Sequence, residues 1–325
     1  MRVDIAGLTG STHHLTQTEL TGHVAALEAL GYSGVWFNEF HFADSVGHPS
    51  TLLLAAALFA GTSRIRIGTS VLVLPLHHPL LLAEMLAQLS VQSAGRLDVG
   101  VGSGTSTATL QALGISRAEA GEAFRFALSF IRRAWREAVE MPPNPLWRAG
   151  QGSVGPLLQG AEPPLYVGGR SMETCLFTAS QGLPLILSSN FPPADVLGAY
   201  HARLADPAVA RRTSFARFVC IAETRSKAEG MVDDLRSDLR AEEVEIAQRH
   251  GRPASLGFLE RERFLAQHVI VGTPEDCLRQ LHALERTLGY GQIRLSFADA
   301  RRADAEPSPS TRLFAREVLP ALQED

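Results

Sequence analysis

"RIRIGTSVLVLPLHHPLLLAEMLAQLSVQSAGRLDVGVGSG", Arg64 to Gly104, is the stretch whose reading decides the fold. It opens on a run of β-formers, Ile65 to Leu74, continues into a leucine-rich helical pattern from Pro79 to Ser93, and ends on a second short apolar run, Leu97 to Val101. Strands that are apolar throughout are strands covered on both faces, and a parallel partner can be reached only through a crossover, which here the helix supplies.

Outward from this unit the same alternation holds. On the N-terminal side lie "VDIAGL" with "TQTELTGHVAALEALGY", where Leu20, Val24, Leu27 and Leu30 keep helical spacing before Gly31, and "SGVWFN" with "PSTLLLAAALFAGT". On the C-terminal side "RLDVGVGS" leads into "AEAGEAFRFALSFIRRAW", "LYVGG" into "SMETCLFTASQG", "LPLILSS" into "ADVLGAYHARLA", and "TSFARFVCIAE" into the charged "SKAEGMVDDLRSDLRAEEVEIAQRH". "QIRLSF" and "RLFAREVLPALQ" close the series. Met141 to Pro164, rich in proline and glycine, reads as an irregular connector with a hairpin through Gly155. "GRPASLGFLERERFLAQ" is the least regular region and precedes a capped helix in "TPEDCLRQLHALERTLG". Eight βα units predict an α/β fold, a (β/α)8 TIM barrel built as a single domain over residues 1–325, with an enlarged connection near the seventh strand.

Composition narrows the partners. With 30 basic against 34 acidic residues, a net charge of -4 and no basic run, the chain lacks the footprint of a nucleic-acid binder, and a small-molecule partner is expected. Three separated cysteines, Cys175, Cys220 and Cys277, form neither a disulfide framework nor a metal spacing. No apolar run reaches the roughly 18 residues of a spanning helix, so no membrane partner and a cytoplasmic location are expected.

In a (β/α)8 barrel the functional face is the C-terminal end of the strands. After the second strand come Asn38, Glu39 and His41; after the third, His77 and His78; after the fourth, the glycine-rich turn to Gly104; after the fifth, "GGRSMET". His13 and His14 follow the first strand. Glu39 reads either as a pocket acid or as a polar group satisfied by backbone, and His41 either as a proton-handling group or as a structural loop histidine. Ser171 either helps bind a phosphate at a helix N-terminus or simply caps the helix. No G-x-S-x-G elbow, H-E-x-x-H or spaced ligand set is present, which removes Ser-His-Asp hydrolysis and a metal centre from consideration.

"GYSGVWFNEFHF", the Arg64–Gly104 stretch, "PPLYVGGRS" with "QGLPLIL", and "VGTPEDCLRQL", in this order and spacing, resemble the bacterial luciferase-like flavin monooxygenase family over most of the chain. The resemblance implies a barrel that binds reduced FMN, or in some branches a deazaflavin, beside the strand ends. It also implies O₂ as co-substrate, a small organic substrate, a separate flavin reductase as the source of reduced FMN, and a homodimer built on helices such as Leu52–Phe59 and Leu80–Leu89. Shielding the reactive ring from water is what the barrel would provide. By the same resemblance Ser70 and Val71 form a cis peptide beneath the flavin, Ser171 and Thr174 bind its phosphate with Gly168 and Gly169 in the turn, and Glu39, His41 and His78 line the catalytic pocket. Three positions depart from the family. Phe40 stands where the first histidine of a Glu-His-His run is expected, Ser103 where an arginine contacts phosphate, and the region of Gly121 supplies no second one. Arg170 is the candidate replacement. Two other readings use the same barrel: a deazaflavin-dependent hydride-transfer oxidoreductase, which consumes no oxygen, and a non-catalytic flavin-binding subunit.

Overall fold

The computed structural model describes residues 1–8, 12, 14–42, 48–104, 106–144, 146–148, 150–154, 162–249, 253–302 and 305–323. Eight parallel strands close on themselves: β1 (Arg2–Ile5), β2 (Gly34–Phe37), β3 (Arg66–Val73), β4 (Leu97–Gly102), β7 (Leu165–Gly168), β8 (Leu185–Leu187), β9 (Ser214–Ile221) and β11 (Gln292–Phe297). The ring is completed where Ile186 and Leu187 of β8 pair with Ser214 and Phe215 of β9. Short strands suffice because each is covered on its outer side by helices, which bury a continuous apolar layer.

The helices start where the local chemistry dictates. Thr16 and Ser116 form capping boxes with Glu19 and Glu119, opening the Gln17–Ala29 and Arg117–Ala134 helices. Thr273 does the same with Asp276 for Pro274–Leu288, which Gly289 ends in the left-handed conformation. Ser171 caps Met172–Ser180.

Two features differ from the sequence reading. The connector after the Arg117–Ala134 helix does hold a hairpin, but it pairs β5 (Val139–Met141) with β6 (Gly150–Gly152), upstream of Gly155, which lies outside the described residues. The enlarged connection after β9 is present and contains an unforeseen strand, β10 (Val269–Gly272). Its four residues pair with Phe218–Ile221, so β9 borders β8 at its start and β10 at its end. Around β10 a second apolar cluster forms, in which Leu235 and Leu239 of the long Arg225–Arg249 helix meet Leu259, Phe264 and Val269.

Inside the ring, Trp36 packs edge-on against Tyr166 at 5.5 Å between ring centres, with Ile186 and Val71 beside them. Below them Asp4 accepts from Trp36 Nε1 at 2.8 Å and from Gln292 Nε2 at 2.6 Å, and Arg2 joins Asp4 to Asp98. Every buried carboxylate here has a cationic or N–H partner, the condition for keeping charge in an interior.

Candidate active site

The "WFNEFHF" turn leaves β2 and places Glu39 at 5% exposure. Its Oε2 accepts from the Val73 N–H at 2.6 Å, and its Oε1 lies 2.8 Å from His77 Nε2 and 3.1 Å from His41 Nε2. Burial pushes the Glu39 carboxyl up, but the bonds from His77, from the Val73 N–H and from His41 outweigh it, and the pKa lies below the usual value. An ionised carboxylate only accepts, so both Nε2 atoms carry the hydrogen. Nδ1 of each imidazole is then the atom open to take a proton. Phe40 and Phe42, 44% and 69% exposed, flank this cluster and give the mouth an apolar rim.

His77, not His78, reaches Glu39. The turn Leu74–Leu76, containing Pro75, closes with the His77 N–H on the Leu74 carbonyl and aims His77 inward. His78 instead precedes the Pro79–Gln92 helix, edge-on to Trp147 at 6.5 Å, with its Nδ1 buried and unbonded. His13 lies outside the described residues, and His14 is exposed.

Beside Glu39, β3 leaves its register with β4 between Thr69 and Leu72, and the Ser70–Val71 peptide is cis, as the resemblance implied. Val71 is seated by missing side chains on both neighbouring strands. A Cβ on Gly102 would fall 2.9 Å from Val71 Cγ2, and one on Gly168 would fall 2.8 Å from Cγ1. Ser70 Oγ accepts from Arg294 NH1 at 2.6 Å, while Arg294 also donates to Ser214 Oγ at 2.9 Å and the Leu187 carbonyl at 2.6 Å. Burial drops the pKa of this guanidinium to about 10. Its signal in the sequence is an arginine inside the otherwise apolar strand "QIRLSF".

At the end of β7, Gly169 leaves room for Thr174, whose Cγ2 would lie 2.3 Å from a Cβ there. The Ser171 hydroxyl donates to Thr174 Oγ1 at 3.0 Å and accepts from the Thr174 N–H at 3.2 Å. Arg170 turns away from these hydroxyls, donating to the Phe191 carbonyl at 3.5 Å. Arg125 reaches the first turn of the helix that follows. Its NH1 is 3.8 Å from where a Gly121 Cβ would be, and it bonds Glu173 at 2.6 Å. The position next to Ser103 is approached by Arg117, which bonds the Gly104 carbonyl. Arg117 and Arg125, both from the Arg117–Ala134 helix, thus bring guanidinium groups to the Gly104 carbonyl and to Glu173. Two hydroxyls, a helix N-terminus and adjacent guanidinium groups are a donor set that fits a phosphate monoester. Among the described residues no cluster able to hold a metal occurs.

A parallel barrel with such a mouth belongs to the α/β-barrel enzymes that work at their strand ends. The chain is a member of the luciferase-like monooxygenase family, whose model matches residues 1–291. It is 27% identical over 334 residues to 4-hydroxyprotoasukamycin monooxygenase of Streptomyces nodosus subsp. asukaensis, covering 90% of this chain and 84% of that one. It spans about half the length of the first curated relatives it matches. Its fold superimposes on the oxygenating constituent of 3,6-diketocamphane monooxygenase from Pseudomonas putida, solved with FMN, with a TM-score of 0.74, 20% identity and 98% of each chain covered. An F420-dependent secondary alcohol dehydrogenase gives 0.72 and 15%, covering 99% of this chain and 98% of the other. No helix among the described residues is long and apolar enough to cross a membrane.

Proposed function

We propose that the chain is the oxygenase of a two-component monooxygenase, which takes reduced FMN from a separate flavin reductase and uses O₂ to oxygenate a small organic substrate. The observation that carries this reading is Glu39, a buried carboxylate holding two imidazoles on one oxygen at the strand ends. The family and the printed activity of the monooxygenase relative support it. Reduced FMN, when bound, supplies the electrons that activate O₂.

The chain's own residues do the rest. Ser171 Oγ, Thr174 Oγ1 and the N–H groups that open the Met172–Ser180 helix would hold the phosphate, with Arg125, bonded to Glu173, as the neighbouring cation. Val71, seated against Gly102 and Gly168, shapes the apolar floor, and Ser103 follows directly after β4. Glu39 fixes both rings so that Nδ1 of His41 accepts or returns a proton, with His77 as its neighbour. Phe40 and Phe42 give the entrance an apolar rim for an apolar substrate. Exposed Leu53, Leu81, Met85 and Val91 on the two helices after β2 and β3 support a homodimer there.

The test is oxygen uptake after mixing the protein with photoreduced FMN, set beside reduced F420. Uptake coupled to an oxygenated product supports the proposal. Hydride exchange between F420 and an alcohol without oxygen uptake replaces it with the dehydrogenase reading. Tight flavin binding with no turnover on any substrate marks a non-catalytic subunit.

A further inference from the structure

The charges inside the barrel do not balance. At its base Asp4 and Asp98 are engaged by Arg2 and Arg66, and Trp36 Nε1 and Gln292 Nε2 take the remaining Asp4 oxygen. Arg294 is a third guanidinium above these two carboxylates, 3% exposed, and no ion pair among the described residues includes it. Asp4, already paired, and the phenol of Tyr166 are the acidic groups that act on it, whereas Glu39 at the mouth does not. Its contacts are neutral: Ser214 Oγ on β9, Ser70 Oγ on β3, the Leu187 carbonyl on β8, and the Trp36 ring on β2, 5.5 Å from its centre. Burial lowers its pKa only to about 10, so near neutral pH it remains a cation.

This charge reaches the floor of the mouth by two contacts. Ser70 is half-buried, directly precedes Val71, and uses its oxygen to accept from Arg294 NH1, so its own O–H remains to be donated to what covers the floor. Trp36, against which the guanidinium lies, packs in one cluster with Val71. A buried cation without a counter-anion is costly, and an apolar side chain of similar length would fill the space without that cost. An anion over the floor would offset it. Of the two redox forms of a flavin, the oxidised ring is neutral and the reduced ring ionises close to neutral pH, so a fixed positive charge below the ring discriminates between them. The phosphate cannot, because both forms carry it.

We propose that Arg294, acting through the Ser70 hydroxyl, makes the site choose reduced over oxidised FMN by opposing the charge of the reduced ring. It is a selecting and positioning residue, not one that moves a proton. The proposal rests on the FMN reading above and deepens it, since a two-component oxygenase has to capture the reduced cofactor and release the spent one. Anaerobic titration of the full chain with photoreduced FMN, beside titration with oxidised FMN, gives the ratio of the two affinities. Reduced FMN should bind about tenfold tighter or more, the equivalent of one pKa unit on the bound ring. Arg294→Met, which keeps an apolar stem against Trp36, should lower that ratio about tenfold with the oxidised-FMN affinity changed less than about threefold, and Arg294→Lys should recover part of it. Equal losses for both forms would mark a merely structural role and overturn the proposal, as would an unchanged ratio. If Arg294→Met does not fold, the unmodified protein supplies the answer. The absorption spectrum of bound reduced FMN should remain that of the anion to a pH about one unit below the point at which free reduced FMN takes up its proton, and coincident titrations overturn the proposal. Absence of any binding of reduced FMN overturns it together with the cofactor reading, whereas oxygen uptake with an unshifted ratio overturns this proposal alone.

Discussion

Glu39 is the residue through which the mouth is organised, since three donors converge on its two oxygens. Glu39→Gln would offer one acceptor oxygen where three donors need two, and turnover should fall about 100-fold or more, the scale of general acid–base catalysis. His41→Gln should fall as far with affinity for reduced FMN unchanged, whereas His77→Gln should lose less if it only braces Glu39. Steady-state rates beside equilibrium binding separate these cases. At the phosphate turn, Ser171→Ala with Thr174→Ala should weaken reduced-FMN binding about tenfold or more, read by anaerobic titration, because hydrogen bonds to a charged group are each worth about 1.5–3 kcal/mol. Arg125→Ala should add a further loss that Glu173→Ala does not share. Glu39 and His41 were legible from their place after an apolar strand. The choice between His77 and His78 was not, because two adjacent side chains are ordered only by the turn over Pro75 and by the distant carboxylate that selects one of them.

At the scale of elements, the Gln17–Ala29 helix is tied to the start of β3 by a single side chain. Glu28 accepts from the N–H groups of Ser63, Arg64 and Ile65 and from the Ser63 hydroxyl. Its burial opposes ionisation, but these bonds prevail and bring its pKa down to about 2. A depressed carboxylate pKa stabilises the fold above the usual value near 4.5 and loses that contribution as pH falls toward 2. Glu28→Gln should therefore lower stability at pH 7 by about 1–2 kcal/mol, after allowance for solvent screening, and have little effect near pH 2. Urea melts at both pH values would show it. All eight barrel strands announced themselves through alternation of apolar strand and helix. β10 did not, because "VIVG" is four residues long, sits between two helical patterns, and becomes a strand only by pairing with the far half of β9.

The whole molecule carries a second acid-sensitive group in His268. Burial above all brings its folded pKa down to about 4, below the ordinary 6.5. The unfolded chain therefore takes up this proton first as pH falls, so stability is complete above pH 6.5 and declines toward pH 4. His268→Leu should flatten that limb of the profile by about 1–3 kcal/mol, measurable as the pH dependence of the urea midpoint. Leu81→Glu, on the exposed apolar stripe, should abolish the proposed dimer in light-scattering measurements without lowering the thermal midpoint of the monomer. The excursion after β9 has a consequence for attempts to shorten the protein. Its strand is grafted onto the far half of a barrel strand, so excising residues 225–272 would not restore a minimal barrel. It would strip Phe218–Ile221 of its β10 neighbour and leave a raw β-edge on that side, with Cys220 newly uncovered. Such a trimmed chain should self-associate edge to edge, which makes the excursion a lid on a sticky seam rather than a dispensable ornament.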